Sequence, residues 1–296
     1  MIKKSETTIL VTGATGNQGS AVADKLFDEG WRVRALTRNP DQPYAKHLAE
    51  KGIEVVQGDL NDLGSLDNAL DGVCGVFAVH TWAEDGISGE VAQGRNLADA
   101  AKAVGIRHYV YSSVIAADRK TGIPHFESKG EIEEYIKSTG LRYTFLRPGF
   151  YMFNFERDQL KKSILDGVLS LAIKPDRVHQ MLSPEDFAYF VALAFDKPRE
   201  YIGKALDIVG DEMTLPEAAK VFSRVIGKPV EYRELPVEQI LRLNEDMGRM
   251  FKWFNETSYR VDLASLKKIH PEMLTLERYL INHGWKEAAA KYRKAA

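Results

Sequence analysis

Six short apolar runs in the first half of the chain, separated by amphipathic stretches of helical period, constrain the fold more than any other feature. The runs are Thr8–Thr12, Arg32–Thr37, Glu54–Gln57, Gly75–His80, His108–Ser112 and Arg142–Leu146. Helical patterns lie between them at Gln18–Glu29, Tyr44–Lys51, Leu63–Leu70, Gly89–Val104 and Glu127–Ser138. Strands joined by helices of this length form βαβ units, and therefore a parallel sheet with right-handed crossovers. Gly30, Gly52, Gly105 and Gly140 follow the helical patterns where a left-handed C-cap belongs. Several strands are apolar throughout, as expected when helices cover both faces of the sheet. The pattern predicts an α/β fold, a Rossmann-like doubly wound parallel sheet, over residues 1–150.

The alternation stops after Arg147-Pro148-Gly149. An aromatic-rich PGFYMFNF follows, then helical segments at Pro216–Ile226, Val237–Met250 and Thr275–Asn282. One isolated strand-like run, ALDIVG at 205–210, is expected to complete the sheet. Residues 151–296 read as a smaller, mostly helical region lining the cleft, where substrate or partner contacts belong. A formal net charge of −2 leaves no electrostatic footprint for nucleic acid or an anionic membrane. The short apolar run near the N-terminus is too brief for a signal peptide or a span. The single cysteine, Cys74, excludes an intrachain disulfide, and its apolar surroundings GVCGVFAV predict core packing. A cytoplasmic protein is the expectation.

Gly13, Gly16 and Gly19 form G-x-x-G-x-x-G between the first strand and the first helix. Glycines there permit a sharp turn, let a pyrophosphate approach the backbone, and let the helix pack on the strand. The first helical N–H groups and the helix dipole then face negative charge. No Gly-Lys-Ser/Thr closes the loop, so it is not a P-loop. Dinucleotide folds selective for NAD place an acid about 20 residues beyond the glycines. Here RALTRNP places Arg38 at the strand end, with no acid before Asp41. A guanidinium binds a 2′-phosphate that an acid would repel, so the cofactor read from this loop is NADP(H). Asp59 and Leu60 end the third strand within reach of an adenine edge. His80, Thr81 and Trp82 end the fourth, near the topological switch point, with His80 read as cleft-lining rather than as a base.

Taken in order, VTGATGNQG, TRNP, VVQGDLND, HFESKGEIEEYI, LRPGFYMFN and LTLERYL resemble the NmrA-like branch of the atypical short-chain dehydrogenases/reductases across nearly the whole chain. The resemblance implies dinucleotide contacts at Gly13, Thr15, Gly16, Asn17, Gln18, Arg38, Asp59, Leu60, His80 and Lys129, with Tyr151 near the nicotinamide. A lysine that some sensor members carry in the helix after the fourth strand is replaced by Ala92.

Short-chain dehydrogenases ordinarily use Tyr-x-x-x-Lys, the tyrosine as acid and the lysine lowering its pKa while holding the ribose. Here His125 occupies the tyrosine slot before Lys129, on the same helical face. Lys129 reads as a ribose contact, and a surface pair with Glu133 is its other reading. His125 stands either as a replacement acid or as a cap or pocket-lining residue. Ser112 and Ser113 occupy the place of a substrate-orienting serine, or simply form a turn, and Tyr151 is a further proton donor or a stacking partner. No HExxH, paired-cysteine or G-x-S-x-G pattern occurs, so no metal is expected. Two functions follow. The first is a redox-responsive NADP(H)-binding regulator with a protein partner and little or no turnover. The alternative is an NADPH-dependent reductase of a quinone-like or other flat, small apolar acceptor, held against Phe150, Tyr151, Met152, Phe153 and Trp82.

Overall fold

The computed structural model describes residues 3–257 and 259–295. In chain order the elements begin with β1 (Thr8–Val11), α1 (Asn17–Asp28), β2 (Arg32–Thr37), α2 (Pro43–Lys51), β3 (Glu54–Gln57), α3 (Leu63–Leu70) and β4 (Gly75–Ala78). They continue with α4 (Trp82–Ala103), β5 (His108–Ser112), α5 (Pro124–Thr139), β6 (Tyr143–Pro148), β7 (Phe150–Tyr151), α6 (Asp158–Asp166), β8 (Val168–Leu171) and β9 (Val178–Leu182). After α7 (Pro184–Asp196), α8 (Pro198–Tyr201), β10 (Lys204–Ile208), β11 (Asp211–Thr214), α9 (Leu215–Ile226) and β12 (Glu231–Glu234), the chain becomes helical. The last helices are α10 (Val237–Leu243), α11 (Glu245–Glu256), α12 (Leu263–Ile269), α13 (Leu276–Asn282) and α14 (Trp285–Ala295). Two compact units result. The first takes the chain up to Lys120, Pro124–Pro148 and Phe187–Asp207; the second takes Thr121–Ile123, Gly149–Asp186 and the chain from Ile208 on.

The first unit is built on a seven-stranded sheet in the order β10-β6-β5-β4-β1-β2-β3. The pairs from β6 through β3 are all parallel. Strand order reverses between β1 and β4, so a crevice opens at their carboxyl ends. β1, β4 and β5 are buried along their whole length, which is why their sequences read as apolar runs rather than alternations. On one face Leu10, Val76, Tyr109, Tyr111 and Phe145 pack with Leu97, Ala98 and Ala101 of α4 and Ile132 and Ile136 of α5. On the other, Phe77 meets Phe187 of α7 edge-on at 6.1 Å, and α1 buries Val22, Ala23 and Leu26. The strand-like run near 205–210 forms β10, the edge strand beside β6. Cys74 is half-buried, not sunk in the core. Among the described residues no helix is long and apolar enough to cross a membrane.

Two helices depart from their sequence patterns. The pattern at Gly89–Val104 belongs to α4, which starts at Trp82 because Thr81 accepts a hydrogen bond from the Ala83 N–H. Gly86, at φ 71° and ψ −176°, breaks α4 after that first turn. The single helix expected over Val237–Met250 is two, α10 and α11. Asn244 is extended between them (φ −154°, ψ 107°) and caps the second by accepting from the Met247 N–H.

The second unit holds two small sheets, β11-β9-β7 and β12-β8, beneath an apolar face of α9. That helix starts from a capping box between Thr214 and Glu217 and buries Leu215, Ala218, Phe222 and Ile226. Phe222 joins Phe155 and Trp285 in an aromatic core, at ring separations of 5.2 and 5.0 Å. Two buried acids here find partners. Asp186 accepts from Ser183, from the Leu274 N–H and from His270, and Asp211 accepts from the Leu276 N–H.

In the first unit, Arg147 at the end of β6 ties that strand to α5. Its Nε and Nη2 donate to both oxygens of Glu133, at 2.8 and 2.6 Å, and Nη1 donates to Asp118 at 2.8 Å. Glu133 is 1% exposed, so loss of this guanidinium would leave a buried carboxylate without its partner. Arg147→Met is expected to cost about 3–5 kcal/mol by stranding the carboxylate, and adding Glu133→Leu should recover most of it. Urea unfolding of the single and double variants checks this; additive losses would mean that the pair is not coupled.

Candidate functional site

The glycine loop between β1 and α1 makes the floor of the site. An added Cβ at Gly19 would lie 2.2 Å from the Gly13 carbonyl oxygen, so this glycine is what allows α1 to seat on the end of β1. At Gly16 the same Cβ would stand 3.4 Å from that oxygen, an ordinary contact, and the position is exposed. The fold therefore tolerates a side chain at Gly16, while a ligand lying on the loop would not. The Gly16 N–H closes the turn onto the Gly13 carbonyl at 2.9 Å. Gly16 is the N-cap of α1 and supplies no side-chain cap; the repeat begins with Ser20 N–H to Gly16 C=O. The N–H groups of Asn17, Gln18 and Gly19 precede that repeat, the arrangement that binds phosphate oxygens at helix N-termini. Asn17 is exposed and Thr15 half-buried beside it. Next to the loop, Thr12 links the ends of β1 and β4 by donating to the Val79 carbonyl at 3.1 Å and accepting from the Val79 N–H at 2.9 Å.

Around this floor the parallel topology collects most of the residues expected from sequence. Arg38 leaves the end of β2 into solvent and is held in an ion pair by Glu84. Asp59 and Leu60 follow β3; Asp59 accepts from the Asn61 N–H at 2.8 Å, and the Leu60 carbonyl accepts from Asn96 at 2.9 Å. Thr81 is spent on capping α4. Ser112, at the end of β5, donates to the Gln18 side chain at 2.6 Å, fastening the glycine-loop helix to the sheet. Ser113 is 3% exposed, and its hydroxyl has no hydrogen-bond partner among the described residues.

Deeper in, His80, Tyr111, Glu90 and Lys129 form one cluster. The His80 ring is buried 5.6 Å from that of Tyr111, and neither ring nitrogen has a hydrogen-bond partner among the described residues. Burial, reinforced by the Lys129 charge, pushes the His80 pKa down to about 3. This imidazole is therefore neutral, offering one N–H and one lone pair. Burial, with Glu90 nearby, raises the Tyr111 phenol well above its ordinary value. Its hydroxyl is also without a partner among the described residues.

Lys129 does not pair with Glu133, which belongs to Arg147. Its Nζ donates to the Glu90 carboxylate at 2.9 Å and to the His80 carbonyl at 3.3 Å. Glu90 is fully buried and also accepts from the Ser128 hydroxyl at 2.5 Å. Nothing in the sequence singled Glu90 out, since it reads as one more acid in a polar helix. His125 is half-buried one turn before Lys129, its ring 5.7 Å from Trp82 and edge-on to Phe126 at 4.8 Å.

Tyr151 lies in the second unit, on β7. It is buried opposite Leu182 of β9 and stacks on Phe153 at 4.6 Å. Phe150 packs there against Phe155 and His179, and Met152 is buried. Among the described residues no group of three or more His, Cys, Asp or Glu side chains suits a metal ion. The exposed glycine turn, the helix start without a side-chain cap and the neighbouring guanidinium fit the phosphates of a dinucleotide. The orphaned nitrogens of His80 and the ammonium of Lys129 supply further polar groups at the same strand ends.

Because Lys129 neutralises a buried carboxylate, its loss has a structural effect separate from any ligand contact. Lys129→Met is expected to destabilise the ligand-free protein by about 3 kcal/mol, the lower end for a broken buried pair because Lys129 keeps some solvent contact. Adding Glu90→Gln should restore most of that. Thermal unfolding without ligand tests it; an unchanged midpoint in Lys129→Met would refute the pairing.

The NmrA-like family model matches residues 5–280. A (4-alkanoyl-5-oxo-2,5-dihydrofuran-3-yl)methyl phosphate reductase of Streptomyces griseus is 34% identical over 236 residues, 78% of each chain. An NAD(P)H azoreductase of Xenophilus azovorans is 28% identical over 249 residues, 81% of each. Among solved structures, the NADPH-dependent quinone oxidoreductase of Escherichia coli complexed with NADPH aligns with a TM-score of 0.78 at 25% identity. That alignment covers 93% of this chain and 99% of that one. With the glycine cradle, the reversed strand order and a family match over almost the full length, the chain belongs to the NmrA-like family.

Proposed function

We propose that this protein is an NADP(H)-dependent reductase of a flat, electron-poor acceptor. The observation that carries the cofactor is the start of α1, with no side-chain cap, over the Gly13–Gly16 turn, with Arg38 at the end of the adjacent strand. In this reading the N–H groups of Asn17, Gln18 and Gly19 take the pyrophosphate, and Arg38 takes the 2′-phosphate. Lys129, held by Glu90, takes the nicotinamide ribose. The dinucleotide, when bound, supplies a hydride.

The acceptor follows from what the site lacks and from the relatives. Hydride delivery to a simple carbonyl creates an alkoxide that needs a positioned acid, and such assistance is worth about 10²–10⁴-fold. The position for that acid, one turn before Lys129, holds His125. His80 is neutral and offers only its single N–H. A conjugated acceptor spreads the incoming charge over its π-system and needs the acid less. A dihydrofuranone, an azo compound and a quinone, the acceptors in the relatives' names, share this property. The relatives thus shift the weight from a regulator toward turnover. A redox-responsive regulator with a protein partner is the second reading, favoured by the same missing tyrosine.

Cofactor titration and turnover test the proposal. Arg38→Ala should weaken NADPH by about 1.5–3 kcal/mol with little change for NADH. Gly16→Val should abolish binding of both while circular dichroism stays native. Equal losses for NADPH and NADH in Arg38→Ala would sink the phosphate assignment, and tight binding by Gly16→Val would sink the cradle.

Steady-state NADPH oxidation should run faster with quinones and azo compounds than with simple ketones, and His125→Phe should leave the quinone rate within a few-fold. Brisk ketone reduction lost in His125→Phe would instead make His125 the acid. No turnover with any acceptor, together with unequal affinity for NADP⁺ and NADPH, would favour the regulator, since only differential binding shifts a conformational equilibrium.

A further inference from the structure

The guanidinium assigned to the 2′-phosphate is already engaged. Arg38 Nη1 lies 2.5 Å from Glu84 Oε2, and Nη2 donates to Glu84 Oε1 at 3.0 Å, a two-pronged contact that uses the same fork a phosphate would take. Asp59 and Asp85 also act on Arg38 electrostatically, so three carboxylates face one cation.

Glu84 is not a passing surface acid. It sits on the first turn of α4, Trp82–Asp85, which Gly86 separates from the rest of the helix. That turn is pinned at its start by Thr81, which accepts from the Ala83 N–H at 3.2 Å. At its end, Asp85 accepts from Gln93 at 2.6 Å and from Asn61 at 3.3 Å. The turn therefore presents Glu84 to Arg38 from a fixed base. The hydrogen bond from Arg38 holds the Glu84 carboxyl below the usual carboxylate range, so both partners are charged at neutral pH.

We propose that Glu84 is a specificity-determining residue that competes with the adenosine 2′-phosphate for Arg38 and so narrows the preference for NADPH over NADH. The inference rests on the reading of Arg38 as a cofactor contact. A 2′-phosphate must break the Arg38–Glu84 pair and then lie beside the released carboxylate. The 2′-hydroxyl of NADH needs neither. Both partners are more than half exposed, so the effect is moderate.

Isothermal titration of NADPH and NADH into wild type, Glu84→Gln and Arg38→Ala tests this. Glu84→Gln is expected to tighten NADPH about three- to tenfold, from loss of an exposed ion pair and of repulsion toward a dianion. NADH should change less than about twofold. Unchanged or weaker NADPH binding in Glu84→Gln, with a selective NADPH loss retained in Arg38→Ala, would overturn the role of Glu84 and leave the Arg38 assignment standing. Equal losses of both cofactors in Arg38→Ala would overturn the Arg38 assignment itself, and this inference with it.

Discussion

Helix α1 reaches the end of β1 only because Gly19 carries no side chain. Any Cβ there would stand 2.2 Å from the Gly13 carbonyl oxygen, well inside van der Waals contact. The rest of the first unit depends on that approach. It aims the start of α1 across the crevice where strand order reverses, and it brings Gln18 within 2.6 Å of Ser112 at the end of β5. Thr12, bonded in both directions to the Val79 backbone, holds the two walls of the crevice in register. A close approach that began as a packing requirement thus yields a row of outward N–H groups over an exposed glycine turn.

Two buried carboxylates give helix α5 its place. Glu133 answers to Arg147 on β6 and Glu90 on α4 answers to Lys129, so a cation from each of two elements neutralises an acid from a third or from α5 itself. Buried pairs of this kind add little net stability against an apolar alternative, but losing one partner is costly. Lys129 therefore neutralises Glu90. Its orientation comes from the pair and from the His80 carbonyl, which places the ammonium beside the Tyr111 ring, at 5.9 Å from its centroid. Beside it burial keeps His80 neutral at neutral pH, so the cluster offers directed hydrogen-bonding capacity from an uncharged imidazole.

At the rim the electrostatics are of another kind. Arg38 and Glu84 are exposed and screened, so the pair is exchangeable where the pairs within the core are not. A rigid interior, set by burial, thus joins a soft edge where one guanidinium is held by an exposed carboxylate.

The first half of the fold was legible in the sequence because its signals are local. Strand runs such as Thr8–Thr12 and helical periods such as Leu63–Leu70 record which faces are buried, and the structure's β1 and α3 follow them closely. The glycine spacing and Arg38 were legible for the same reason, since backbone approach and charge are properties of single positions. The short strands β8, β9 and β11 were not. At four or five residues each, they exist through pairing with distant segments, such as Asp211 with Met181, and carry little period of their own. Nor could spacing choose the partner of Lys129. Glu133 stands four residues on along the same helix, but the fold turns Glu133 to Arg147 and brings Glu90 from a helix thirty-nine residues earlier in the chain. Period, glycine and charge are written residue by residue, so the sequence by itself determined the parallel sheet and the glycine turn at the start of α1. Which acid neutralises which base depends on burial and distance, and only the packed helices and sheet decided it.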